Sequence, residues 1–391
     1  MSVYSQVLPT SVEPAKGFAA NERVVFEINH QNQQIRPKSV RLNGVLQLWR
    51  DHVGGTPVDD SDQLYLDPDA GVNGFIYQIS TEFGNSNVET INDYGRWVKM
   101  KNEATYAQLD HCTSTDSMLE LMTYSQDGQK GGKAKINQTL GMKFPIDATS
   151  SELPFSVDLD ICVNNSVEPL PYKRTGQIKL SILTQDNTRC GMRTTVTPNT
   201  NTYCYSMKYL EVRYLADPEA EKAGAIILET KSLDHIPTLV NKYSGVQFSP
   251  SHAFDSVVCS FLKTGHDAKA NDFTTYNYLE TESITEQIDY LEVKINNKDN
   301  VLEYPLIKQT SEILYNYLLA WHPYIHPLTE ATVSKHGLTY SKLSNHVGFG
   351  VGLHLYGGVD AGTKVAFNIS LKSVPADSYR MFFYSIGKLI I

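Results

Sequence analysis

A few residues in this chain have the types and spacing that chemistry requires. His322 and His326 in HPYIH are separated as two imidazoles must be to share one helix face and hold a zinc ion. Pro323 and Pro327 interrupt that helix, so the pair is not expected to ligate a metal. Asp158 and Asp160 fall on the same side of an alternating strand, where paired carboxylates could do acid–base work or hold calcium. They also take the outward positions of an amphipathic strand, and solvated charge is the expectation there. Gly348, Gly350 and Gly352 in GFGVG have the look of a phosphate loop, but no Lys-Ser/Thr ending and no helix follow them. Alternating with Val347, Phe349, Val351 and Leu353, they read as the small face of a strand pressed against another backbone.

No Gly-x-Ser-x-Gly elbow, His-Glu-x-x-His helix, EF-hand loop or Walker loop occurs. No catalytic residue, cofactor site or metal site is therefore nominated, and the chain is not expected to be an enzyme. Asn137, Asn164 and Asn368 open Asn-x-Ser/Thr sequons that read as chance matches without a secretory route. Cys112, Cys162, Cys190, Cys204 and Cys259 are odd in number, scattered and free of any Cys-x-x-Cys pair, which predicts free thiols made in a reducing cytosol.

These residues need elements to hold them, and alternation of apolar residues is the dominant signal. Leu153, Phe155, Val157, Leu159, Ile161 and Val163 alternate with polar or small partners, as do Val365, Phe367, Ile369 and Leu371. Further strands are expected over 24–28, 39–49, 74–83, 178–183, 207–215, 225–230, 289–295, 347–356 and 379–390. Helical spacing predicts one helix after Ser249-Pro250, with Phe254, Val257, Val258, Phe261 and Leu262 as its stripe, and a second over 311–321. A weaker helix covers 117–124.

The length of 391 residues, with 41% apolar and 20% charged residues, suits two folded units. The polar stretch from Asp186 to Tyr203 lies near the middle and reads as a linker. The expected division is an arm over 1–21, a first unit over 22–186, a linker over 187–203 and a second unit over 204–391. A net charge of −9 has the wrong sign for gripping phosphate backbones, so sequence-specific nucleic-acid binding is not expected. No apolar run is long enough to span a membrane, and the start MSVYSQVLPTSVEPAKGF lacks the basic and apolar regions of a signal peptide.

Several segments, in order, resemble the double jelly-roll major capsid proteins of the lineage that includes tectiviruses, adenovirus, virophages and polinton-like viruses. In the first half these are RVVFEINHQNQQIRPKSVRLNGVLQLW, GVNGFIYQISTEFGNSNVETINDYGRWVKM and MKFPIDATSSELPFSVDLDICVN. In the second they are QIDYLEVKINNKDNVLEYPLIKQTSEILYNYLLAWH and the terminal VGFGVGLHLYGGVDAGTKVAFNISLKSVPADSYRMFFYSIGKLII. The resemblance implies an all-β chain of two consecutive eight-stranded jelly rolls with short helices in long loops. It also implies a major capsid protein that forms homotrimeric, pseudo-hexameric capsomers of an icosahedral DNA virus. Implied partners are neighbouring capsomers, penton and minor capsid proteins, with an inner membrane as a further candidate. Implied localisation is the virion, after synthesis in the host cytoplasm. The competing readings are a penton or minor capsid protein, and a carbohydrate-binding β-sandwich whose Trp49, Trp97 and Trp321 would line a sugar groove.

Overall fold

The computed structural model of the chain describes residues 3–67, 70–105, 136–137, 141–144, 151–194, 196, 201–220, 224–267, 278–279, 287–298, 310–321 and 350–391. The expected helix over 117–124, both histidines of HPYIH, and residues 347–349 lie outside them.

Alternation becomes strand wherever one face meets a core. The longer strands of the first half are β1 (Val3–Val7), β2 (Arg23–Ile28), β3 (Arg41–Arg50), β4 (Ile76–Phe83), β5 (Ser86–Asn92), β6 (Glu152–Asp158), β7 (Ile178–Thr184) and β8 (Tyr203–Pro218). Those of the second are β9 (Ile227–His235), β10 (Tyr243–Phe248), β11 (Phe254–Lys263), β12 (Ile288–Ile295), β13 (Val351–Val359), β14 (Val365–Leu371) and β15 (Tyr379–Ile390). Val24, Phe26 and Ile28 of β2 are buried alongside Ile178, Leu180 and Ile182 of β7, its antiparallel neighbour. Leu42, Leu46 and Leu48 of β3 and Leu153, Phe155 and Val157 of β6 bury the facing side. Val365, Phe367, Ile369 and Leu371 repeat the pattern in β14.

In the first roll, a sheet built on β6–β3–β8 packs against the row β2–β7–β4–β5. In the second, β9–β15–β11–β13 packs against β10–β14–β12. The rows β2–β7–β4–β5 and β9–β15–β11–β13 belong to one long sheet, spliced where Ser232 of β9 bridges Thr90 of β5 in parallel. Two rolls are thereby set side by side in one chain.

Residues 187–203 carry the short strand Met192–Thr194, which pairs with Leu64–Leu66, and β8 begins at Tyr203 and hydrogen-bonds along β3. Residues 3–7 lie antiparallel on β8, with Val3 opposite Ala216, and Phe18 bridges Met207. The N-terminal stretch is thus laid on the first roll's sheet.

The helix expected after Ser249 is a strand: β11 runs from Phe254 to Lys263. The error has a physical cause, since both faces of β11 are covered and alternation disappears. Val257, Cys259 and Phe261 enter the second core, while Val258 and Leu262 enter the cluster that fills the first roll. β15 is divided in the same way, with Met381 and Phe383 on one side and Phe382, Tyr384 and Ile386 on the other. The expected helix over 311–321 is present as Thr310–Ala320, labelled α2 below. Helix α1 (Tyr94–Thr105) was not expected, because Arg96 and Lys99 are buried on it with Trp97 and Val98 and no polar face marks its period.

Gly350 and Gly352 behave as the sequence predicts for a strand under close contact. A Cβ on Gly350 would come within 1.4 Å of the Cys259 carbonyl oxygen, and one on Gly352 would lie 2.9 Å from Ala320 Cβ and Tyr317 Cα in α2. Among the described residues no helix is long and apolar enough to cross a membrane.

Candidate functional site: the junction between the rolls

Asp158 and Asp160 do not form a pair. Asp158 ends β6 and meets Arg41 at 3.0 Å with its side chain partly exposed. Beyond it the chain turns inward through bonds from Ile161 N–H to the Leu159 carbonyl and from Asn164 N–H to the Ile161 carbonyl. Asp160 is therefore buried, contrary to the solvated position its spacing predicts. Its Oδ1 lies 2.9 Å from the Lys231 ammonium of β9, and its Oδ2 accepts the Trp97 indole N–H at 2.7 Å. Lys101 of α1 stands 3.5 Å away and Asn165 donates to Oδ1. Burial pushes the Asp160 carboxyl up, but Lys101 and Lys231 outweigh it and hold the group well below the usual carboxylate range. Burial acts against the Lys231 ammonium too, and Asp160 and Glu89 hold it above its ordinary value.

Glu89 of β5 lies in the same pocket. It accepts the backbone N–H of Cys162 at 2.7 Å and that of Lys231 at 2.9 Å, with the Lys231 ammonium 4.0 Å away. Charged groups from both rolls thus meet beside the Thr90–Ser232 splice.

A second cluster lies close by. The Arg96 guanidinium is 4.2 Å from the Phe382 ring and 4.9 Å from the Tyr278 ring, and it donates to the Tyr278 carbonyl at 2.6 Å. Tyr278 hydroxyl donates to Asp93 Oδ2 at 2.9 Å, and Tyr384 hydroxyl to the Asp93 carbonyl at 3.0 Å. Trp97 of the first roll packs 5.2 Å from Trp321 and 5.4 Å from Tyr384. Apolar and charged contacts together make this a rigid joint rather than a flexible link.

The other sequence candidates take structural places. Trp97 and Trp321 are fully buried, and Trp49 is 5% exposed under Lys16 and Lys208, so the three do not form a sugar-stacking surface. Asn164 is buried and bonds Val40 and Leu159 backbone groups, and Asn368 of β14 donates to Glu292 of β12. Cys162, Cys190, Cys204 and Cys259 are buried free thiols. Among the described residues no three His, Cys, Asp or Glu side chains are grouped to hold a metal ion. Sequence reasoning missed Glu89 and Lys231 altogether; the one available signal was ionisable residues within strands, and it does not name their partners.

Two face-to-face sandwiches in tandem, joined through a common sheet and a buried ionic joint, define a double jelly-roll protein. Solved structures of such proteins match nearly the whole chain. The Faustovirus major capsid protein aligns with a TM-score of 0.59 and 9% identity, covering 100% of this chain and 90% of that one. A chain of the Sputnik virophage cryo-electron-microscopy structure aligns at 0.61 with 10% identity, covering 100% and 86%. The mavirus major capsid protein aligns at 0.51 with 13% identity, covering 98% and 86%. No protein-family model matches the sequence, and no curated protein does.

Proposed function

We propose that this chain is a major capsid protein, three copies of which form a pseudo-hexameric capsomer in the shell of an icosahedral DNA virus. The observation that carries the reading is the joint itself: two jelly rolls locked side by side by the β5–β9 splice and the Asp160–Lys231 pair. A position with six neighbours needs six similar barrels, and a chain with two meets that with three copies around a closed threefold axis. The likeness to capsid proteins over nearly the full length supports the same role. A penton protein, with one barrel per chain and fivefold closure, is disfavoured by the same joint.

On this reading the chain has a structural rather than enzymatic task, in the virion, after synthesis in the host cytoplasm. Its partners are two further copies, neighbouring capsomers, and penton and minor capsid proteins. Exposed Val167, Ile227 and Ile390 offer apolar contact area for such neighbours. The division between rolls falls between β8 and β9 in this proposal, because β8 is bonded along β3 and β9 along β15. The N-terminal segment contributes through β1, an edge strand without a charged residue that can add to a neighbour's sheet. Electron micrographs of the purified protein test the assignment: hexagonal capsomers support it, and pentagonal particles or isolated single chains overturn it.

A further inference from the structure

Two carboxyls flank the splice, one buried and one half-buried. Glu89 precedes Thr90 on β5 and is 3% exposed. Asp234 follows Ser232 on β9 as the extra residue of a bulge, since Leu233 pairs with Tyr384 and His235 with Phe383. Neither carboxyl has a cation to itself. Lys231 and Lys101 lie closest to Asp160, and Glu89 faces Lys231 only at 4.0 Å, with Glu229 of β9 also beside that ammonium. Cys162, from the segment after β6, donates its N–H to Glu89. Asp234 accepts the Ser232 hydroxyl at 2.5 Å and faces Ser385 of β15, whose Oγ lies 3.3 Å from His252 Nε2. No Lys or Arg is among the groups acting on Asp234.

We infer that the splice between the two rolls is a proton-sensitive joint, held most firmly when Glu89 and Asp234 are neutral and loosened when both are charged. The cost of the charged state is desolvation, which grows with burial. A protonated Glu89 keeps both backbone N–H bonds, because each oxygen retains a lone pair. Burial pushes Glu89 up to about 7 and Asp234 up to about 6. Carboxyls raised in the folded state give stability that is complete below their ordinary values and is lost as pH rises through about 6 and about 7. His252 and His30, lowered by burial, act in the opposite sense as pH falls below 6.5, so the whole-chain melting curve mixes the two. The inference does not rest on the capsid reading, and its test reads the joint directly.

The full-length protein and its D234N variant are melted at a series of pH values from 5 to 8 at fixed ionic strength, and amide hydrogen exchange is followed in the unmodified protein. D234N is expected to melt above the unmodified protein at pH 8, with the gain shrinking towards pH 5. After correction for intrinsic rates, segments 86–92 and 227–235 are expected to open about tenfold more at pH 8 than at pH 5.5, the factor one pKa unit carries. The 365–371 segment of the second core serves as the reference. A D234N difference that is constant with pH, or protection of the splice that is independent of pH relative to 365–371, overturns the inference. If D234N does not fold, the exchange of the unmodified protein decides the matter alone.

Discussion

Lys231 and Asp160 meet at 2.9 Å with side chains no more than 4% exposed, and they join the first strand of the second roll to the segment that closes the first. Removing one member leaves the other charged in a dry site, whereas removing both leaves only the more distant Glu89, Glu229 and Lys101 charges. D160N or K231M alone is expected to cost about 3–5 kcal/mol, and the double variant to recover most of that loss. Urea denaturation at neutral pH measures all three. Equal and additive losses would show that the pair is not coupled.

The same pair sets the response to extreme pH. Asp160 is held below its ordinary value of 3.8, so its contribution is complete above that pH and is lost as the pH falls through the depressed value. Lys231 is held above 10.5, so its contribution is complete below that pH and is lost above it. Acid unfolding of the unmodified chain should steepen below pH 4, and D160N should be flatter in that range. Circular dichroism followed from pH 5 to pH 2 checks this.

Much of the fold was legible because one-sided burial writes itself into alternation, as in β2, β7 and β14. β11 was harder, since it faces a core on both sides and a strand such as FDSVVCSFLK has no polar phase to read. The β11 segment even offered a false helical stripe. The joint was not legible at all: Asp160 and Lys231 are 71 residues apart, and spacing rules apply to neighbours within one element. Asp160 misled for the same reason, because the turn after Asp158 changes which way residue 160 faces. Gly350 and Gly352 could be read because close approach excludes every side chain regardless of the partner.

Those glycines give a graded test. G350A has no room beside the Cys259 carbonyl, and G352A would press α2 away from β13. Both are expected to lower soluble yield sharply, with G350A the more severe. G84A meets no atom within 4 Å, and its backbone φ of +58° is the sole obstacle, so a loss of only about 1 kcal/mol is expected. Expression and thermal melting of the three variants provide the comparison, and equal behaviour would contradict the packing assigned to β13.

Thiol chemistry should report the core. Burial pushes the Cys162, Cys190 and Cys259 thiols well up, and Cys204 to about 11. These four are expected to resist a thiol reagent at pH 8 in the folded protein and to react together on unfolding. Rapid labelling of Cys162 in the folded chain would show that the joint beside Glu89 opens freely.

The mass of the purified particle in solution tests the central claim most directly. Static light scattering across a dilution series is expected to give three times the 43.8 kDa chain mass, unchanged down to nanomolar concentration, because closed threefold assembly of two-barrel chains buries large interfaces. A stable particle of one chain or of five would contradict the account.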